Sequence, residues 1–437
     1  MDTLGTRKAL RILGIALALA FCAWSVHAFS VHLEPILRNH SIGSRSDFAW
    51  YYVAFQTIWE RLAPSVNLYN VVFEDRFMIL HHIGYDHLDM FSYPPMFALL
   101  FSPFAALGYS ASRQMWSIFT VVAFIAALVP ATLLACPSNR PARRIALFSL
   151  GFWAFPLFNN FYWGQSDTIT LLVVALGLWL ILGQRREIAG GALLGLGAML
   201  KVTPAITLVY LLLRGRWRAV AGGLGLIFVG SIVTSLLLSW HTLVTYLRQV
   251  LPAVQRSAFA HGPAPWNQSF RGLLMRWLHR PPSIQGHWAD AFTVACVLGL
   301  AAVAWLRPGL DRRLEAAGLA LLPMLGSPSL ETHHFVLAIL PEILLAGYLL
   351  DHAAQVASWP LVGALVAAVV LLAVPNYKYV PDVGRYLFGP KGIGFLPLKT
   401  PLEHVVSNAQ HFWCIALLLV IVIAAALLVP SGKVEPT

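Results

Sequence analysis

Gln184-Arg185-Arg186 stands before a short apolar run, residues 188–200. Lys201-Val202-Thr203-Pro204 breaks the run, and a second one, residues 204–213, ends in Arg214-Gly215-Arg216-Trp217-Arg218. Crossing a hydrocarbon core takes about 20 apolar residues, and neither run alone supplies them. Read as one span, the stretch would put one of its two basic clusters outside, against the tendency of Lys and Arg to stay on the inner side. Read as a tight helical hairpin, it keeps both clusters inside. Lys201 is then left near the outer end, and Pro204 sits in the first turn of the second helix.

The rest of the chain agrees with that frame. Its 437 residues are 58% hydrophobic and 11% charged, where a soluble protein carries about 25% charged residues. This places the chain among polytopic membrane proteins. The net charge of +11 belongs to inner loops and is no argument for a nucleic-acid partner. Cys22, Cys136, Cys296 and Cys414 lie in or beside apolar runs without a CxxC spacing. They read as small core residues, neither disulfides nor metal ligands.

Arg7, Lys8 and Arg11 precede an apolar run over residues 9–29. It ends near Val26-His27-Ala28, which could be a weak secretory cleavage site; we read the run as an uncleaved first span that starts inside. Residues 30–92 then lie outside. Residues 93–108 open on Tyr93-Pro94-Pro95 and are broken at Ser102-Pro103, so they are expected to be re-entrant or interfacial. Residues 112–135 cross inward to Arg140, Arg143 and Arg144. Residues 145–158 return outward to Asn159-Asn160-Phe161-Tyr162-Trp163-Gly164-Gln165-Ser166-Asp167, and 168–183 lead back to the hairpin. Residues 219–238 exit, 290–306 return to Arg307, Arg312 and Arg313, and 314–325 exit to Ser327-Pro328 and His333-His334. Spans at 335–351, 357–374 and 411–430, ending before Lys433, bring the total to about twelve. The expectation is an all-α polytopic protein with juxtamembrane helices outside. It forms one integral membrane domain over residues 1–437, with outer loops at 30–110, 239–289 and 375–410. No clear internal repeat of the transporter kind is present.

This assignment brings the chemistry-bearing residues to the outer side. Asp47, in Ser46-Asp47-Phe48-Ala49-Trp50-Tyr51-Tyr52, reads either as a helix N-cap or as a general base beside aromatic rings that suit a sugar or lipid headgroup. Lys201 near membrane depth is costly unless it works, and a lipid phosphate is its natural anion; snorkelling to headgroups is the structural alternative. Arg271, shortly after Trp266, could grip phosphate oxygens or be an ordinary surface arginine. Glu331, His333 and His334 form a polar island; metal ligation is one reading, but adjacent histidines point to different faces of a helix, so a phosphate or sugar hydroxyl or an interfacial structural role suits them better. Asn160 and Gln165 could read sugar hydroxyls or cap helices. His81, His82, Asp86, His87 and Asp89 fit no structural metal spacing and read as solvated loop. There is no GxGxxG, Walker loop or GxSxG elbow, so a nucleotide-dependent reaction is not expected. A transferred sugar would come from a lipid phosphate.

Taken together, Ser46-Asp47-Phe48 with Tyr51-Tyr52, Tyr93-Pro94-Pro95, Trp163-Gly164-Gln165, Lys201-Val202-Thr203-Pro204, Asn267-Gln268-Ser269 and Ser327-Pro328 with Glu331-Thr332-His333-His334 resemble glycosyltransferase family 87 over residues 46–345. The resemblance implies a GT-C-type fold and an extracytoplasmic active site in a bacterial inner membrane. It implies a polyprenyl-phosphate sugar donor, mannose by default, a lipid or glycan acceptor, and inversion at the anomeric carbon. By position it makes Asp47 the base and sets Lys201, His333 and His334 by the donor phosphate. Arg271 is added there on its chemistry, and Tyr51, Tyr52, Asn160, Gln165, Asn267 and Glu331 are candidates for sugar or acceptor. No metal or other cofactor is implied. A flippase of a lipid-linked sugar, or a glycan ligase using a lipid diphosphate, are the competing functions.

Overall fold

The computed structural model describes residues 3–38, 46–60, 68–83, 91–254, 267–278, 282–353, 355, 358–374 and 409–428. The loop expected at 375–410 falls almost wholly outside these, as do Trp266, Asp86, His87, Asp89 and Lys433. Among the described residues every regular element is helical. Among the described residues, six helices are long and apolar enough to cross a membrane: Ala9–Arg38, Tyr109–Ala135, Trp217–Leu238, Gly286–Leu306, Thr332–Asp351 and Gln410–Leu428. Against an expected count of about twelve, the rest of the bundle is built of shorter pieces, among them Pro95–Ala106, Asp167–Gly183, Glu187–Leu200 and Trp359–Ala373. The first helix runs to Arg38, past the expected end of its apolar run. The four cysteines are free.

The hairpin forms as two helices, Glu187–Leu200 and Ala205–Leu213, around an extended Lys201 (φ −153°, ψ 121°). Pro204 caps the second helix from just outside it, its carbonyl accepting from the Thr207 amide and hydroxyl. Both basic ends meet: Arg216 donates to Glu187 at 3.0 Å and to Glu315 at 3.4 Å, and Arg214 donates to Glu315 at 3.4 Å. Nearby, Asp351 collects Arg140, Arg143 and Arg313. The expected inner loops therefore gather at one end of the bundle. Lys201 lies at the other end, one 14-residue helix away, or about 21 Å at 1.5 Å per residue.

Close backbone contact holds this frame. Helix Glu187–Leu200 packs along Trp217–Leu238 through small residues, as membrane helices do where no hydrophobic effect drives them together. A Cβ on Gly191 would lie 1.8 Å from the Ala219 carbonyl oxygen, and one on Gly195 would lie 2.4 Å from that of Gly223. A second core layer, built on Phe48, Tyr51, Phe55, Phe97 and Trp116, packs edge-to-face rings at the Lys201 end.

Gly191→Leu must force these helices away from each other and is expected to cost about 1–3 kcal/mol or more. Exposed Gly225, with nothing within 4 Å of its Cβ position, provides the control. Thermal unfolding in detergent should fall for Gly191→Leu and stay unchanged for Gly225→Leu.

Candidate active site

Asp47 precedes helix Phe48–Trp59 but makes no side-chain capping bond to it. Its Oδ2 instead accepts from the Gln165 amide nitrogen at 2.5 Å. Gln165 Oε1 receives the hydroxyls of Tyr51 at 2.7 Å and Tyr93 at 2.8 Å. Turning the amide over would set its oxygen against a carboxylate, so the two phenols and Asp47 select one orientation. Burial, followed by Tyr93 and the Asp167 and Asp47 carboxylates, pushes the Tyr51 phenol well above its ordinary range. Burial likewise raises Tyr93. Both therefore stay protonated donors.

Gln165 reaches this place through a tight stop. Gly164 ends helix Phe155–Trp163 in the left-handed region (φ 71°), and the Gln165 amide returns to the Asn160 carbonyl at 2.9 Å. A Cβ on Gly164 would also lie 2.8 Å from that of Phe48. Trp116 Nε1 donates to the Gly164 carbonyl at 2.7 Å. Buried Arg113 donates to the carbonyls of Phe161 and Tyr162 at 2.7 and 3.0 Å and to the Ser46 hydroxyl at 3.3 Å. One guanidinium thus ties the loop to the residue beside Asp47.

Two residues beyond Gln165, Asp167 begins the helix Asp167–Leu178. Asn160 Oδ1 accepts its amide at 3.1 Å. The fully buried Asp167 carboxylate takes Lys201 Nζ at 2.5 Å on Oδ1, while its Oδ2 lies 4.0 Å from His333 Nε2 and has no hydrogen-bond partner. Lys201 also lies over the Tyr93 ring, 5.8 Å from its centroid. The residues 165–167 therefore join Asp47 and its amide partner to Lys201 and the histidines.

Asp167, His333 and His334 offer ligand atoms within 4.8 Å of one another, a spacing that invites a divalent ion. Two features oppose it. Lys201 already brings a positive charge to the carboxylate. His334 Nδ1 accepts the Glu331 amide at 2.9 Å, so a neutral His334 ring carries its proton on Nε2 and has no lone pair there for a metal. This geometry is suited to donating hydrogen bonds to an anion.

The other expected residues lie in different roles. Glu331 Oε2 is 4.0 Å from His333 Nδ1. Asn160 serves the loop backbone. Tyr52 donates to the Leu107 carbonyl at 3.0 Å. Asn267 spends its side chain on Ser269, Leu330 and Pro328 backbone groups, stapling the segment that leads to His333. Arg271 pairs with Asp290 at 3.1 Å. Sequence reasoning passes over Asp167 and Arg113. The cost of an ionisable group at membrane depth, which singles out Lys201, applies equally to an aspartate opening an apolar helix and an arginine inside a long one.

These observations define a helical membrane bundle with a carboxylate, an amide, an ammonium and imidazoles converging at one end. The chain belongs to glycosyltransferase family 87, whose model matches residues 91–328. That match is narrower than the 46–345 of the motif resemblance: it includes Gln165, Asp167, Lys201 and Arg271 and leaves out Asp47, Glu331, His333 and His334. The chain is 32% identical over 279 residues to the polyprenol-phosphate-mannose-dependent alpha-(1-2)-phosphatidylinositol mannoside mannosyltransferase of Mycobacterium tuberculosis, covering 59% of this chain and 62% of that one. It is 29% identical over 251 residues to a polyprenol-phosphate-mannose-dependent alpha-(1-2)-phosphatidylinositol pentamannoside mannosyltransferase of Mycolicibacterium smegmatis, covering 56% and 58%. The chain thus spans less than two thirds of the length of these relatives. A structure of ArnT from Cupriavidus metallidurans in the apo state superposes with a TM-score of 0.39 at 17% identity, over 96% of this chain and 78% of that one.

Removing one partner of a buried ion pair strands the other, at a cost of about 3–5 kcal/mol. Lys201→Met should therefore lower thermal stability in detergent strongly, and adding Asp167→Asn should restore most of it. Equal stability of wild type and Lys201→Met would show that the pair is not buried as described.

Proposed function

We propose that this protein transfers a hexose, mannose by default, from a polyprenyl-phosphate sugar to a lipid or glycan acceptor. The reaction takes place on the extracytoplasmic face of a bacterial inner membrane, with inversion. One observation carries it: Asp47, the Gln165 amide, Lys201 and the histidines meet at the end of the bundle opposite the arginine-rich loops. The names of the relatives, which specify a polyprenol-phosphate-mannose donor and phosphatidylinositol mannoside acceptors, support the donor class and suggest the acceptor class.

In this mechanism the acceptor oxygen attacks the anomeric carbon as the bond from that carbon to the phosphate oxygen breaks. The acceptor proton passes to the Asp47 carboxylate, and the electron pair of the broken bond leaves on the polyprenyl phosphate. Gln165 holds the Asp47 carboxylate in place by donating to its Oδ2. Lys201 and the Nε2–H of His334 stabilise the negative charge that grows on the phosphate. Phosphate is already a good leaving group, so no second acid is needed. The membrane supplies the donor in a restricted orientation, which lowers the entropic component of the barrier.

General base catalysis contributes about 10²–10⁴-fold. Asp47→Asn should therefore lose about that much transfer activity in proteoliposomes charged with polyprenyl-phosphate mannose, while keeping wild-type thermal stability. Unchanged transfer would remove Asp47 from the role, and translocation of the donor without a product would favour the flippase.

A further inference from the structure

At the end of the bundle away from Asp47, a cavity of about 730 Å³ opens between helices, lined by Arg185, Arg186, Arg216, Arg218, Arg312 and Glu187. Five guanidinium groups face a single carboxylate there. Arg216 is engaged by Glu187 and Glu315, and Glu187 is the one acid among the lining residues, so Arg185, Arg186, Arg218 and Arg312 have no lining acid of their own. Three helices, Glu187–Leu200, Trp217–Leu238 and Arg312–Leu325, begin at this spot. Their backbone amides and dipoles add to the positive potential. Arg185 is held in the left-handed region (φ 56°), a conformation that a non-glycine residue adopts at a cost. One wall is apolar, formed by Ile181, Leu182 and Ile188.

Keeping arginines on one side of a membrane requires only that they be in the loops. It does not require them to line one cavity with an apolar wall. We propose that this cavity binds the headgroup of an anionic phospholipid, its phosphates held by the arginines and the start of its acyl chains lying on the apolar wall. Guanidinium groups pair with phosphate oxygens in two-point contacts, and basic pockets between membrane helices hold headgroups that carry more than one charge. A headgroup with two phosphates, as in a diphosphatidylglycerol lipid, matches these four guanidinium groups better than one with a single phosphate. The site is independent of the sugar-transfer reading, because no residue of the Asp47 end is involved.

Native mass spectrometry and thermal unfolding of the full chain in detergent test this, with added cardiolipin, phosphatidylcholine or inorganic phosphate. Cardiolipin should be retained and should raise the unfolding temperature, and phosphatidylcholine should do neither. Arg186→Gln with Arg218→Gln should weaken cardiolipin retention on the order of tenfold. Arg140→Gln with Arg143→Gln removes the same charge from the same end outside the cavity, and should leave retention unchanged. Equal losses in both double variants would overturn the site in favour of diffuse electrostatics. Stabilisation by inorganic phosphate at the same phosphate concentration would overturn the lipid as ligand.

Discussion

The Lys201–Asp167 pair is the interaction on which the end of the bundle opposite the arginine loops depends. An ammonium and a carboxylate taken out of water are expensive, and only good geometry recovers the cost. Here the geometry comes from two helices in contact. Asp167 stands at the start of one and Lys201 just past the end of the other. Each charge therefore faces the helix terminus of opposite partial charge. The pair also links two segments distant in sequence, the loop ending helix Phe155–Trp163 and the break in the hairpin.

Around that pair the polar groups are arranged in a dependent order. Arg113 and Trp116, on the long helix Tyr109–Ala135, bind the loop carbonyls before Gln165. Those bonds and the left-handed Gly164 decide where the Gln165 amide points, and the amide donates to Asp47 Oδ2. The position of Asp47 is thus set through backbone contacts of a loop more than a hundred residues away. The Asn267 staple does the same for His333 by holding residues 328–330. Two of the expected binding residues, Asn160 and Asn267, act on backbone in this way.

Charge and hydropathy make the architecture legible. The alternation of arginine loops predicts which helix ends meet, and Arg216 with Glu187 and Arg313 with Asp351 meet at the expected end. The hairpin is readable because two short runs between two basic clusters have one solution that leaves no arginine outside. Less can be read where hydropathy and motif disagree. Asp167 sits at the edge of an apolar run and Arg113 near the start of another, so a window average absorbs them, although each is buried and bonded. The glycine contacts of the Glu187–Leu200 helix are also illegible, since apolar content says nothing about which face meets a backbone. Tyr52 reads as a ring for a sugar, and only the fold shows its hydroxyl on the Leu107 carbonyl.

The two ends of the Glu187–Leu200 helix use charge in opposite ways, which follows from their solvents. At the Lys201 end the groups are buried, so the ammonium must have a counterion in place: Asp167 is there, and the free Oδ2 and imidazoles beside it are what an arriving anion or hydroxyl would meet. At the arginine end, Arg185, Arg186, Arg218 and Arg312 are exposed, where an unpaired guanidinium costs little and an excess of them is tolerated. A paired, buried site can be preorganised for one geometry. An open, unpaired one can hold a protein in its leaflet and recognise charge, but it cannot orient a reacting bond. The transfer proposed for this protein is therefore placed at the Lys201 end even though the arginine end carries more charge.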